Sequence, residues 1–122
     1  MKIATDILQS KLAEILPIES ADMFWLVTSK PKLHVRDDEP LSNYDRWEHY
    51  PAWSLSALIA IMPEKITDKE DIEYHLNVSN GLVEYYNSFI GGLSEPLHSI
   101  KTGDTIDSAF EMVCWLHEND LI

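Results

Sequence analysis

Alternating apolar and polar positions on both sides of Asn80-Gly81 form the clearest pattern in the chain. The runs 72–79 and 82–89 alternate along their whole length, and Asn-Gly between two such runs is typical of a two-residue hairpin turn. Opposing residues then place one set of side chains in the core and the other set on a polar face. We predict an antiparallel hairpin, which residues 97–101 extend to a three-stranded meander.

The first helix is predicted from helical spacing of apolar residues over 3–16. Ile3, Leu8 and Leu12 belong to this apolar set, polar residues separate its members, and Pro17 follows as a stop. An amphipathic helix that packs on the core is the expected structure.

Strand signals follow in residues 24–28, which are aromatic and β-branched, and in the shorter run 33–35. Residues 37–50 show neither a helical nor a strand period and are rich in loop-forming residues. We therefore predict a long connection there, and long ordered loops in compact domains are often functional.

Two further helices have clear capping signals. Ser54 is the expected N-cap of an apolar helix that Pro63 ends, and Asp104 with Thr105 begins a closing helix that runs to about Asn119. The helix after Ser54 is apolar nearly all round, so its own domain or a partner must bury several of its sides.

These elements predict one α+β domain over residues 1–122. It comprises an N-terminal helix, a short central apolar helix, an antiparallel meander and a C-terminal helix packed on one sheet face. A chain of this length falls within the usual size of a single domain.

The charge balance limits the class of partner. The chain has 21 acidic residues against 9 Lys and Arg, a formal net charge of −12. This charge argues against direct binding of nucleic acid through its phosphates. The negative charge is compatible with an acidic surface that binds a basic protein. It is equally compatible with a charge that only keeps the protein in solution.

Compartment is inferred from cysteine content and hydropathy. Cys114 is the single cysteine of the chain, which excludes an intramolecular disulfide and agrees with a reducing compartment. The longest apolar stretch, 53–62, is too short to span a membrane, and the N-terminus does not match a secretory signal. We expect a cytoplasmic protein.

A cluster of aromatic and hydrogen-bonding residues near the predicted long connection is the best candidate binding surface. Such residues are enriched in protein interfaces. The alternative is that they only attach the loop to the domain, with Trp53 in the core. The cluster consists of Tyr44, Arg46, Trp47, His49, Tyr50 and Trp53.

The polar hairpin face is a weaker candidate. It is predicted to gather Glu73, His75, Glu84 and Tyr86, whose nitrogen and carboxylate groups are of the types that bind a metal or transfer protons. The alternative is a solvated face of cross-strand polar pairs. Because no third ligand follows at a recognisable spacing, we predict no catalytic residue, metal ligand or cofactor.

Cys114 and His117 lie three residues apart on the predicted C-terminal helix, close enough for a thiol and an imidazole to meet. Cys114 also lies on the apolar side of that helix, where a cysteine is commonly a small core residue.

Residues 51–63 and 107–116 resemble small bacterial proteins of unknown function that are encoded in prophage-type or other mobile regions. In those proteins an aromatic-rich hairpin also lies between the two helices, so the resemblance covers roughly residues 50–122. It implies a bacterial, cytoplasmic, mobile-element setting and carries no catalytic residue with it.

These observations favour a non-enzymatic acidic protein-interaction module that binds a basic host protein. One alternative is a small metal-dependent or hydrolytic enzyme that uses the polar hairpin face. Another is a structural homodimer joined through the helix after Trp53, with Leu58 in the interface.

Overall fold

The computed structural model describes residues 2–27, 30–35, 48–88 and 94–122. Within these residues the chain is a mixed α+β structure with two antiparallel sheets. No helix in this part of the chain is both long and apolar enough to cross a membrane.

The N-terminal segment differs from the helix predicted over residues 3–16. A 3-10 helix covers only Leu8–Glu14, and a second, shorter one covers Ile18–Ser20. Residues before Leu8 make contacts with distant parts of the chain instead: Ala4 forms a β-bridge with Ser54, and the Thr5 N–H donates to the Trp53 carbonyl at 2.9 Å. The Thr5 carbonyl accepts from the Trp25 indole N–H at 2.8 Å, whereas in a helix over residues 3–16 it would accept from the Gln9 N–H.

Asp6 and Gln9 begin the first 3-10 helix by reciprocal hydrogen bonds. The Gln9 N–H donates to Asp6 Oδ1 and the Asp6 N–H donates to Gln9 Oε1, each at 2.9 Å. This exchange has the form of a capping box, which places a helix start after Asp6 rather than at Ile3.

The first sheet contains three described strands in the order β2-β1-β3, both pairs antiparallel. Their bounds are Met23–Val27 for β1, Lys32–Val35 for β2 and Glu48–Ala52 for β3. The first two strands were predicted. The third corrects the predicted loop, because its residues pair with β1 in the register Trp25↔Tyr50. The rest of the predicted connection, residues 37–47, lies outside the described residues.

The central helix α1, Leu55–Ile61, has the predicted cap. Ser54 Oγ accepts a hydrogen bond from the Ala57 N–H at 3.2 Å. Asp22 in turn binds Ser54, accepting from its backbone N–H at 2.8 Å and from its hydroxyl. Pro63 follows the C-cap residue Met62 as expected.

The second sheet has four described strands in the order β4-β5-β6-β7. The hairpin register is the predicted one, with Val78 opposite Val83 and His75 opposite Tyr86. The structure adds the short strand β4, which was not predicted, and a bulge where β6 pairs with β7. The bounds are β4 Lys65–Thr67, β5 Glu73–Ser79, β6 Leu82–Ser88 and β7 Ser94–Lys101.

The C-terminal helix α2, Thr105–Glu118, begins and ends where the sequence predicts. Asp104 caps it by accepting from the Ile106 N–H at 2.9 Å. The helix contacts α1, β6 and β7. Its buried side chains join those of α1, β6 and the N-terminal segment in a shared hydrophobic cluster, whose largest fully buried members include Trp53, Tyr85, Leu12, Leu58, Met112 and Leu116.

Candidate functional site

The aromatic binding cluster predicted from the sequence is only partly described. Tyr44, Arg46 and Trp47 lie outside the described residues, and His49 and Tyr50 are half-buried on β3. Trp53 is 0% exposed, its backbone N–H donates to Thr5 Oγ1 at 2.9 Å, and its indole N–H donates to Ser20 Oγ at 2.9 Å. Trp53 is therefore a core residue, and the prediction that it belongs to a binding surface is wrong.

The four polar-face candidates lie on one face of the second sheet. The two carboxylates among them both interact with neighbouring polar side chains. Glu73 binds Lys65 at 3.2 Å and lies 4.0 Å from His75 Nε2. Glu84 accepts from the side chains of Asn77 at 3.2 Å and Ser99 at 3.3 Å. Over the described ranges, no three His, Cys, Asp or Glu side chains converge in a way that could hold a metal ion.

Cys114 and His117 do not share a site. Cys114 is half-buried and lines a cleft, whereas His117 is exposed at the end of α2. Burial raises the pKa of the Cys114 thiol, which the ammonium of Lys11 lowers and the carboxylates of Glu118 and Glu111 raise further. The net increase keeps the thiol protonated near neutral pH, which is the opposite of what a nucleophilic cysteine needs.

An apolar groove lies beside Trp25. It consists of two cavities, of about 310 and 410 Å³, which share Asp6 and Trp25 in their lining. The Trp25 indole is held in place because its N–H donates to the Thr5 carbonyl at 2.8 Å. We call this surface the Trp25 groove; its lining residues are Lys2, Ile3, Ala4, Asp6, Ile7, Leu8, Trp25, Pro31 and Leu33.

Large apolar side chains are exposed at the Trp25 groove. Leu8 is 86% exposed and Ile3 is 72% exposed. Val35, at 68%, shares the sheet face of Trp25, because Trp25 pairs with Leu33 and strand residues two apart point to the same side. Single exposed apolar residues are common on proteins, whereas a contiguous apolar patch is typical of an interaction site.

Carboxylates border the Lys2 end of the groove. Lys2 Nζ lies 3.1 Å from Asp6 Oδ2 and 2.7 Å from Asp107 Oδ1, and the Lys2 backbone N–H donates to Asp104 Oδ2 at 2.9 Å. The hydrogen bond to Asp107 is the main reason that the pKa of Lys2 is raised. Two carboxylates thus contact the Lys2 ammonium group and a third accepts from the Lys2 backbone N–H, so these described side chains together carry a negative charge.

A cleft of about 420 Å³ lies between β7, α2 and the first 3-10 helix. The indole of Trp115 stacks on the imidazole of His98, with ring centroids 4.3 Å apart and an interplanar angle of 4°. We call it the Trp115 cleft; its lining residues are Lys11, His98, Ile100, Phe110, Glu111, Cys114, Trp115 and Glu118.

The Trp25 groove and the Trp115 cleft meet at the first 3-10 helix. Leu8 lines the groove and Lys11 lines the cleft, and side chains three residues apart on a 3-10 helix lie on the same side. One face of this short helix therefore links the two surfaces.

Sequence reasoning missed both surfaces for a common reason. Ile3 and Leu8 were assigned to a core-facing helix stripe, and nothing in their spacing shows that the stripe is left uncovered. The Asp6 and Gln9 spacing was an available signal, because it places the helix start after Ile3. His98 was placed on a predicted strand, but its contact with Trp115 depends on how α2 packs.

Comparison of the chain with protein-family models, with curated proteins and with solved structures finds no match.

Proposed function

We propose that this protein is a non-enzymatic interaction module that binds a basic protein through the Trp25 groove. The observation that carries the proposal is the exposure of Leu8 and Ile3 in the lining of an apolar groove. The resemblance of residues 50–122 to small prophage-type proteins supports a bacterial, mobile-element setting, in which a cytoplasmic host protein is the expected partner.

Burial of apolar surface supplies the expected binding energy. Full burial of one Leu or Ile side chain contributes about 1.5–3 kcal/mol, and Leu8 and Ile3 are both largely exposed in the unbound chain. A partner that inserts apolar side chains beside Trp25 would cover them together. Since the indole is already fixed by its hydrogen bond to Thr5, little side-chain entropy is lost at Trp25 on binding.

Charge complementarity favours a basic partner. The carboxylates of Asp6, Asp104 and Asp107 lie beside the groove and only the Lys2 ammonium offsets them among these described side chains. The whole chain has a net charge of −12, which attracts a basic protein over long range and repels nucleic acid. Apolar contacts would then supply affinity, and the charges would supply selectivity and speed of association.

Affinity capture with matched variants tests the proposal. Ile3→Gln/Leu8→Gln removes apolar surface from the groove without changing the charge, and Ile122→Gln makes the same change at an exposed apolar residue outside the groove lining. Each purified protein is used to capture partners from a bacterial lysate at low and at high salt, and the bound proteins are identified by mass spectrometry.

The expected result is one basic protein that the wild type and Ile122→Gln both retain at low salt. The groove variant should retain at least about tenfold less of it, and high salt should release it because exposed charges are screened. Equal retention by all three proteins, or no protein retained, would overturn the proposal. So would a wild-type homodimer that Ile3→Gln/Leu8→Gln dissociates in sedimentation, since a second copy would then be the occupant.

A further inference from the structure

The Trp115 cleft combines aromatic and apolar side chains with charged ones in its lining. His98 and Trp115 are stacked in parallel, and Phe110 and Ile100 complete this part of the lining. Burial lowers the pKa of His98, which keeps its imidazole neutral near neutral pH. A volume of about 420 Å³ falls in the usual range for small-molecule sites.

The cleft already holds one ammonium group. Lys11 Nζ lies 5.5 Å from the centroid of the Phe110 ring, a distance at which the ring quadrupole attracts a cation. Lys11 belongs to the chain itself, so this contact shows what kind of group the lining accepts.

Carboxylates outnumber cations around the same cleft. The charges of Lys11, Glu118 and Glu111 all act on the Cys114 thiol in the cleft lining, which places three charged groups around one small volume. Among these described lining residues two carboxylates face one ammonium group, leaving a negative charge. An aromatic lining with surplus carboxylates is the chemistry that recognises organic cations.

We propose that the Trp115 cleft binds a small organic cation that joins an aromatic ring to a primary ammonium group. The ring packs against Trp115 and Ile100, and the carboxylates of Glu111 and Glu118 in the same lining attract the ammonium group. The cleft shares no lining residue with the Trp25 groove, and the proposal does not rest on the function proposed for that groove.

The probe is 2-phenylethylamine, and 2-phenylethanol is its uncharged counterpart of the same shape. Each is titrated into the full-length 15N-labelled protein and followed by amide and indole chemical shifts. The amine should shift the Trp115 indole and the amides of Glu111 and Cys114 in a saturable way. The alcohol should bind about fivefold or more weakly, because it lacks the charge that the carboxylates attract.

Three variants separate this site from general attraction to an acidic protein. Glu111→Gln and Glu118→Gln, both at exposed positions of α2, should each weaken amine binding about fivefold. Glu70→Gln, an exposed acid outside the cleft lining, should leave it unchanged. Lys11→Gln should tighten binding a few-fold, since it removes a positive charge in the lining that repels the bound ammonium group.

Several results would overturn the proposal. It fails if the amine causes no saturable chemical-shift change at the cleft, or if the amine and the alcohol bind equally. It also fails if the Glu70 and Glu118 variants weaken amine binding equally. Weaker binding of the amine to Lys11→Gln would mean that Lys11 helps to form the site instead of opposing a bound cation. Saturable binding of a lysine-containing peptide, but not of the free amine, would assign the cleft to a protein partner's side chain and would also exclude the proposal.

Discussion

Gly81 joins the hairpin turn to the start of α2. Its φ angle is +75°, its N–H donates to Thr105 Oγ1 at 2.9 Å, and its carbonyl accepts from Ser108 Oγ at 2.7 Å. Ser108 is fully buried, and its hydroxyl also accepts from the Thr102 N–H at 3.0 Å. The turn is therefore fixed by tertiary hydrogen bonds as well as by its own Asn-Gly sequence.

Gly81→Ala should lower the free energy of unfolding by at least about 2 kcal/mol, because an L-residue at positive φ is strained. An added Cβ would also lie 2.6 Å from the Thr102 carbonyl oxygen, too close for a real contact. The matched control is Gly103→Ala, whose Cβ meets nothing within 4 Å. Urea unfolding followed by circular dichroism measures both, and equal stability of the two variants would contradict the argument.

Asp104 should make the fold sensitive to acid. Hydrogen bonds from the backbone N–H groups of Lys2 and Ile106 favour its charged form and lower its pKa from 3.8. As the pH falls, the carboxyl group therefore binds a proton in the unfolded chain at a higher pH than in the folded protein. The stabilisation of the fold by charged Asp104 is present above the ordinary carboxyl pKa and is lost as the pH falls through the pKa of the folded state.

Asp104→Asn keeps a capping oxygen but cannot titrate. Between about pH 5 and pH 3, the wild type should therefore lose more of its free energy of unfolding than the variant does. Urea midpoints at a series of pH values test this. Parallel pH profiles would show that Asp104 does not stabilise the fold through its charge.

At the scale of elements, α1 is buried on one side and exposed on the other. Leu58 is fully buried, whereas its neighbour Ile59 is exposed. The predicted homodimer contact at Leu58 is therefore wrong, and Leu58→Glu would disrupt the core instead of a dimer surface. The exposed side of α1 is formed by Ser56, Ile59 and Ala60.

Leu58→Ala should lower the free energy of unfolding by about 2–5 kcal/mol, since it leaves a cavity in a packed core. Ile59→Ala, one position further along the same helix, should cost less, about 1 kcal/mol, because Ile59 is 36% exposed and Leu58 is fully buried. Chemical unfolding compares the two. Similar losses for both variants would contradict the assigned orientation of α1.

Elements with local signals were predicted from the sequence, and those that depend on distant partners were not. The hairpin turn and the caps at Ser54 and Asp104 need only neighbouring residues. Strand β3 contains Pro51, which weakens a strand signal, and it forms because β1 offers an edge to pair with. Strand β4 has only three residues, too few to show a period.

The candidate surfaces were less predictable than the fold. Composition correctly describes the acidic character of the chain, but the apolar spacing of Ile3 and Leu8 is the same whether the residues are buried or exposed. Their exposure follows from Ala4 and Thr5 bonding to the segment around Trp53, which no local pattern indicates. The aromatic residues Tyr44 and Trp47 lie outside the described residues, so their predicted role in binding stays a prediction.

At the scale of the whole molecule, a net charge of −12 and an apolar groove act over different distances. Exposed charges are screened beyond roughly 10 Å at 0.1 M salt, whereas apolar contacts form only on close approach. Charge should therefore set how fast a basic partner arrives, and the Trp25 groove should set how long it stays.

Photo-crosslinking from position 8 tests the groove most directly. A photoreactive amino acid replaces Leu8 in one protein and Ile122, an exposed apolar residue outside the groove lining, in another. Both are irradiated in bacterial lysate at low and high salt. The account predicts an adduct with a basic protein at position 8, weaker at high salt and absent at position 122. The same adducts at both positions, or none at position 8, would contradict it.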